Sequence, residues 1–253
     1  MLHGLEHELR YALVAPLVDG APLWVDLGCG DGVAAANALG GRSAGATLLV
    51  DGSDEALAQA SRELAGARTR QADLGSEEGV GAVREAIGSA SEAIGAAPTI
   101  VTCLHLLAEL EDFVPCVDLL RSLGDRCTVV IGVPNDAFWS TDRAHPTVWG
   151  EGAFEELRRL LPEGHVVLRQ VPLAASAIVG VDGADVALPP VRVGGEQVSS
   201  HFLVAFGARA GELGLVAAAR AIDADATRRA ERERESRLEW LTARVDELER
   251  ARS

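Results

Sequence analysis

LWVDLGCGDG, residues 23–32, runs three apolar residues into an aspartate and then sets glycines at 28, 30 and 32. The apolar start reads as a strand, and the Ala-rich segment that follows reads as a helix, so the glycines occupy a strand-to-helix turn. At the carboxyl edge of an open α/β sheet such a turn is where ligands bind, and missing side chains let a ligand approach the main chain. Spacing narrows the ligand. No Gly-Lys-Ser/Thr follows, which argues against a phosphate-gripping Walker loop and against ATP or GTP hydrolysis. A dinucleotide turn would place its third glycine at position 33, which is Val33. What remains is a ligand carrying adenosine without a phosphate, and Asp26 is expected to face that ligand's ammonium, directly or through water.

Outward from this turn the chain alternates short β-rich runs with helical stretches. "LWVDLG", "TLLVD", "ARTRQADL", "TIVTCLHLL" and "CTVVIGV" are each followed by a helix-patterned segment. A further helix, carried by Leu2, Leu5, Leu9, Leu13 and Val14, precedes the first strand and ends at Gly20-Ala21-Pro22. Repeated strand–helix units predict a parallel sheet covered on both faces. Two last strands, within 165–173 and 198–207, have no helical segment between them and predict an antiparallel pair at one edge. The expected fold is therefore α/β: a seven-stranded, mostly parallel, doubly wound sheet with an antiparallel edge hairpin, occupying residues 1–212. Residues 213–253 are read as a separate C-terminal helix: from about 220 the chain is dense in mixed charge, with Leu238, Leu241, Val245 and Leu248 at alternating steps of three and four. That is a coiled-coil seam, predicting a homo-oligomer joined through a C-terminal helix, although one stripe of a solvated helix docked on its own domain has the same pattern.

Whole-chain composition limits the partners. With 23 basic against 38 acidic residues the formal charge is -15, which repels phosphate backbones and anionic lipid, so neither nucleic acid nor a membrane surface is expected as a partner. Four cysteines, at 29, 103, 116 and 127, show neither paired spacing nor accompanying histidines; no metal ligand is expected, and reduced thiols suit a cytoplasmic protein. The first twenty residues lack the build of a signal peptide, and no apolar run reaches membrane-spanning length.

Asp26, Gly28, Gly30 and Gly32 match the pattern Asp/Glu-x-Gly-x-Gly-x-Gly, and the segment resembles motif I of the class I S-adenosylmethionine-dependent methyltransferases. Later elements continue the resemblance over roughly residues 23–207. It implies S-adenosyl-L-methionine as cofactor and S-adenosyl-L-homocysteine as product, held at Asp26, Gly28, Cys29, Gly30 and Gly32. Asp51, followed by Gly52, falls where the family places an acid that accepts both ribose hydroxyls; two carboxylate oxygens suit two donors. A plain N-cap for the next helix is the alternative for Asp51. Asp73 corresponds to a contact with the adenine amino group, with the backbone of Ala72 and Leu74 flanking the ring. "TIVTCLHLLAELED" is similar to the family's fourth motif, with Thr99 in place of the usual Asp, and sets Cys103, Leu104 and His105 beside the sulfonium.

The sulfonium is an activated electrophile, so the enzyme needs to align a nucleophile and exclude water. A hydroxyl acceptor benefits from a base, and histidine titrates in the right range. His105 is placed first, His145 next, with His201 a third candidate, each weighed against a satisfied core histidine. His145 lies in the 16-residue loop "NDAFWSTDRAHPTVWG", where Asp136, Trp139, Asp142 and Trp149 are expected to contact the acceptor, the tryptophans by stacking or else by plugging the core. Motifs for base methylation are absent after the fourth strand. The reading is methyl transfer to a small-molecule or saccharide hydroxyl, with a loose similarity to bacterial enzymes that modify surface polysaccharides. The alternative is a catalytically silent cofactor-binding scaffold whose tail assembles partners.

Overall fold

In the computed structural model, residues 2–95, 98–123, 127–139, 145–171 and 199–213 are described. Helix α1 (Leu2–Val18) leads into β1 (Leu23–Leu27), α2 (Val33–Leu39), β2 (Ala46–Asp51), α3 (Asp54–Glu63), β3 (Arg68–Gln71) and α4 (Glu77–Ala93). Then follow β4 (Thr99–Cys103), α5 (Leu106–Glu109), α6 (Val114–Ser122), β5 (Cys127–Pro134), α7 (Glu151–Leu160), β6 (Val166–Gln170), β7 (His201–Phe206) and α8 (Ala210–Leu213). The strands form one seven-stranded sheet in the order β3-β2-β1-β4-β5-β7-β6. Pairings from β3 across to β5 are parallel, and β7 lies antiparallel between β5 and β6. The expected antiparallel edge pair is therefore present, with β7 as the strand that reverses direction. The predicted coiled coil at 213–253 lies, apart from Leu213, outside the described residues.

Burial explains the strand composition. Central β1, β4, β5 and β7 are buried along their whole length and read as apolar runs, whereas edge β3, with Arg68, Thr69, Arg70 and Gln71, is exposed throughout. Polar side chains on an edge discourage pairing with another chain. Alternation along β1 sends Leu23, Val25 and Leu27 to one face, where α4, α6 and α7 pack, and Trp24 to the other, where α1, α2 and α8 pack. Ser53 and Ser76 cap α3 and α4 by accepting from the backbone N–H of Ala56 and Gly79. Capping by Ser53 leaves Asp51 free of that duty.

From β1 the chain winds outward to β2 and β3, then returns to β4 on the opposite side of β1. That reversal opens a crevice at the carboxyl ends of β1 and β4, the position where open α/β sheets hold ligands.

Candidate active site

The glycine turn sits at that crevice. Gly28, Gly30 and Gly32 all have positive φ (73°, 55° and 75°). Two of them are bare for packing reasons: a Cβ on Gly28 would stand 2.7 Å from Leu106 Cβ of α5, and one on Gly32 would stand 2.9 Å from Ala60 Cα of α3. A Cβ on Gly30 would meet nothing within 4 Å. The turn is thus pinned between two helices with one glycine facing open space. Its contact with Leu106 sets it directly against the residue after His105.

Asp51 cross-braces the turn from the end of β2. Its Oδ2 accepts from Gly30 N–H at 2.9 Å and its Oδ1 from Ser53 N–H at 2.9 Å. The carboxylate remains half-buried at the rim. Asp73 is exposed, and its Oδ1 accepts from Gly75 N–H at 2.9 Å; Ala72 and Leu74 on either side turn their side chains inward. Ala72 N–H donates to the Asp51 carbonyl at 3.1 Å, which ties the ends of β2 and β3 together beside Gly52.

Three residues expected at the ligand point their side chains elsewhere. Asp26 shares the Trp24 face of β1 and is fully buried; it accepts from Tyr11 O–H at 2.7 Å and from Thr102 O–H at 2.6 Å. Trp24 Nε1–H donates to the same Thr102 oxygen at 2.8 Å. Burial pushes the Asp26 carboxyl up to about 6, against the hydrogen bonds from Thr102 and Tyr11. Its charge is met by protein hydroxyls, and it anchors α1 and β4 to β1. Cys103 is fully buried on the opposite face, in the same apolar cluster as Cys116; a hydrogen bond with Cys116 and burial hold its thiol well above the usual range. The Cys29 side chain is also buried, with its Sγ against the Gly30 carbonyl. At these two cysteines the main chain alone is left to face a ligand.

Beyond the turn, imidazoles gather at the ends of β4, β5 and β7. The His105 ring centroid lies 5.5 Å from His145, 5.9 Å from His201 and 6.3 Å from His7. Burial holds the His105 pKa below its ordinary value, with Glu109 opposing, so the ring is neutral at pH 7. Its Nε2 stands 3.4 Å from Glu109 Oε1. His145 is buried, and its Nδ1 lies 2.6 Å from Asp136 Oδ1. Asp136 Oδ2 accepts from Trp149 N–H, and Asp136 N–H donates to the Trp149 carbonyl at 2.8 Å. His201 is fully buried, its Nδ1 3.3 Å from Glu6 Oε2. Among the described residues, His105, Glu109 and His145 form a group whose donor atoms lie within 4.8 Å of one another. Sequence spacing did not show it, because His145 comes from a different strand's loop.

The tryptophans resolve toward packing. Trp149 is buried against Phe113, ring centroids 5.3 Å apart, within the core under α6 and α7. Trp139 donates its Nε1–H to the Ser200 carbonyl at 3.0 Å, and its ring centroid lies 5.9 Å from that of His201 in a T-shaped arrangement, so it walls the histidine cluster. Asp142 lies outside the described residues.

Helix α1 supplies residues the sequence reading passed over. Arg10 is buried, donates to Gln170 Oε1 at 3.1 Å, and stands 2.7 Å from His7 Nδ1; burial lowers its pKa to about 10. Burial also raises Glu6. Their signal is a polar run, Glu6, His7, Glu8 and Arg10, set in the apolar spacing of the helix.

No protein-family profile and no curated protein matches the chain. Solved structures do. The methyltransferase domain of bacterial CtHen1-C is similar at 15% identity and a TM-score of 0.53, over 82% of this chain and 100% of that one. The small RNA methyltransferase HEN1 is similar at 15% identity and a TM-score of 0.51, over 79% of this chain and 24% of that one. At these identities the likeness is one of fold. Together with the strand order and the glycine turn, it places the chain in the fold of the class I S-adenosylmethionine-dependent methyltransferases.

Proposed function

We propose that this chain transfers a methyl group from S-adenosylmethionine to a hydroxyl of a small molecule or saccharide. One observation carries the reading: Gly28 is in contact with Leu106, so the cofactor turn abuts the segment that begins with His105 and the imidazole cluster. In this reading Gly30 lets the cofactor lie across the turn, Asp51 accepts from the ribose hydroxyls, and Asp73 meets the adenine edge. The acceptor oxygen then approaches from the histidine side. Its lone pair forms the new O–CH3 bond as the C–S bond breaks, the electron pair staying on sulfur to give S-adenosylhomocysteine. Because the sulfonium is already activated, alignment of the oxygen with the C–S bond does most of the work. The His105 and His145 rings are placed to help the hydroxyl lose its proton, and Asp136 fixes the orientation of the second ring.

A formal charge of -15 favours an acceptor without a phosphate backbone. HEN1 is a small RNA methyltransferase of the same fold, so RNA is the contrasting acceptor. The test is incubation with isotope-labelled cofactor and separate panels of phenols, glycosides, sugars and short RNAs, read by mass spectrometry. A methylated hydroxyl in the first three panels supports the proposal. Methylation of RNA alone overturns the acceptor class, and cofactor binding with no methylation in any panel favours the silent scaffold. Self-association belongs to the same proposal, through the Leu238, Leu241, Val245 and Leu248 seam.

A further inference from the structure

We propose that His105, Glu109 and His145 bind one divalent transition-metal cation at the point where the acceptor oxygen meets the methyl group. The cation's role rests on the methyl-transfer reading above; its binding does not. His105 follows β4 as the residue before α5, Glu109 ends that helix one turn later, and His145 enters from the loop after β5. One donor atom from each lies within 4.8 Å of the others. With metal–ligand bonds of about 2.1 Å, tetrahedral neighbours stand roughly 3.4 Å apart, so side-chain rotations of about an ångström close the set.

The orientation of His145 points to a ligand. Its side chain is 2% exposed, Asp136 holds Nδ1, and Nε2 is buried without a hydrogen-bond partner. A carboxylate behind one ring nitrogen and a bare second nitrogen ahead is how metal-bound histidines are supported. His105 Nδ1 is likewise buried without a partner. The support behind Asp136 is itself fixed by Trp149, whose backbone exchanges hydrogen bonds with it. Two imidazoles and one carboxylate suit Mn2+, Fe2+, Co2+ or Zn2+ better than Mg2+ or Ca2+, which prefer oxygen donors throughout. Three protein ligands leave coordination positions open, the pattern of catalytic rather than structural sites.

With both rings holding the cation, the cation takes over the activating role given to the imidazoles above: an acceptor hydroxyl bound at an open position loses its proton to water far more readily than a free alcohol. The resulting oxygen attacks the methyl carbon, the C–S bond breaks toward sulfur, and one proton is released per turnover. Charge balances: a sulfonium and a hydroxyl become a thioether, a methyl ether and a proton.

The test uses the full chain stripped by chelation, then titrated with Co2+ by visible absorption and with Mn2+ and Mg2+ by calorimetry. One equivalent of Co2+ with bands of nitrogen coordination is expected, and Mg2+ binding should be weaker. Glu109 is 42% exposed, so Glu109→Gln tests the site with the fold intact, checked by circular dichroism; its Co2+ affinity should fall at least about tenfold. Asp136→Asn should cost about 10- to 100-fold through the His145 ring it orients. Absence of saturable binding, or wild-type affinity in both variants, overturns the proposal. S-adenosylhomocysteine binding is measured on the metal-free chain in parallel. Cofactor binding without cation binding overturns this site and leaves the methyltransferase reading; the reverse leaves the site and removes its role.

Discussion

Replacement of Asp51 separates two duties that the structure gives one carboxylate. In the protein, its oxygens accept from Gly30 and Ser53 at 2.9 Å each, fixing the glycine turn against β2. In the proposed complex the same oxygens also accept from the ribose hydroxyls. A hydrogen bond to a charged group contributes about 1.5–3 kcal/mol, and rim exposure puts each ribose bond at the low end. Loss of two such bonds is then roughly 3 kcal/mol, which is about a hundredfold in affinity. Asp51→Ala removes every acceptor and also loosens the turn. Asp51→Asn keeps one oxygen, holds part of the brace, and should lie between wild type and alanine. Isothermal calorimetry with S-adenosylhomocysteine reads the dissociation constants, and thermal melts without ligand read the brace. The expected order is wild type, then Asn weaker by about tenfold, then Ala weaker by about a hundredfold, with melting temperatures changing by only a few degrees. Equal affinity in all three would refute the ribose role and place the adenosine elsewhere.

Four further outcomes are expected. Gly30→Ala meets no atom within 4 Å but keeps a positive φ, so it should cost about 1–2 kcal/mol in stability while a new methyl group blocks the cofactor. Gly28→Ala, with Leu106 Cβ 2.7 Å away, should lower the melting temperature more than Gly30→Ala does; the reverse order in melts would contradict the packing argument. Asp26 has a folded-state pKa of about 6, above its unfolded value of about 3.9, so the native state holds a proton that the unfolded chain has released between those values. Its contribution to stability is therefore full below about pH 4 and declines as pH rises through about 6, by roughly 3 kcal/mol at most. Asp26→Asn should flatten that part of the stability–pH curve in denaturant titrations, and an unchanged slope would remove Asp26 as its source. Deletion of residues 226–253 should lower the mass seen by light scattering and leave cofactor binding intact; an unchanged mass would remove the tail as the assembly element.

The sheet was legible because central strands must be apolar and helices must be amphipathic. β1, β3 and β4 fall within the runs read from sequence, β2 and β5 extend theirs by one residue each, and the reversal of β7 followed from the lack of a helix-patterned stretch in the sequence between 173 and 198. Spacing located the glycine turn, and the resemblance to the family's motifs singled out Asp51 and His105; the structure sets the Asp51 carboxylate on Gly30 and the residue after His105 against Gly28. What the sequence could not supply was direction. Asp26 and Cys103 sit at strand ends that flank the crevice, yet strand alternation turns Asp26 toward α1 and Cys103 toward α6. The Trp24 face of β1 already carried that information for Asp26, two residues away on the same side. Trp149 stood between stacking on the acceptor and plugging the core, and only the structure, which buries it against Phe113, decides for the core, since a loop read from composition carries no record of what packs beneath it. The Glu109 and His145 pairing is long-range, and α1 residues His7, Arg10 and Tyr11 reach the cluster only because α1 packs over β1 and β4. No periodicity connects them.

The central claim is that the crevice between β1 and β4 binds S-adenosylmethionine. Isothermal calorimetry of the wild-type chain against S-adenosylmethionine and S-adenosylhomocysteine, with NAD and ATP as comparisons, tests it most directly. One saturable site for the first two ligands and no heat of binding for the others is the predicted result. Saturable binding of NAD or ATP with none for either adenosyl-sulfur ligand would contradict it.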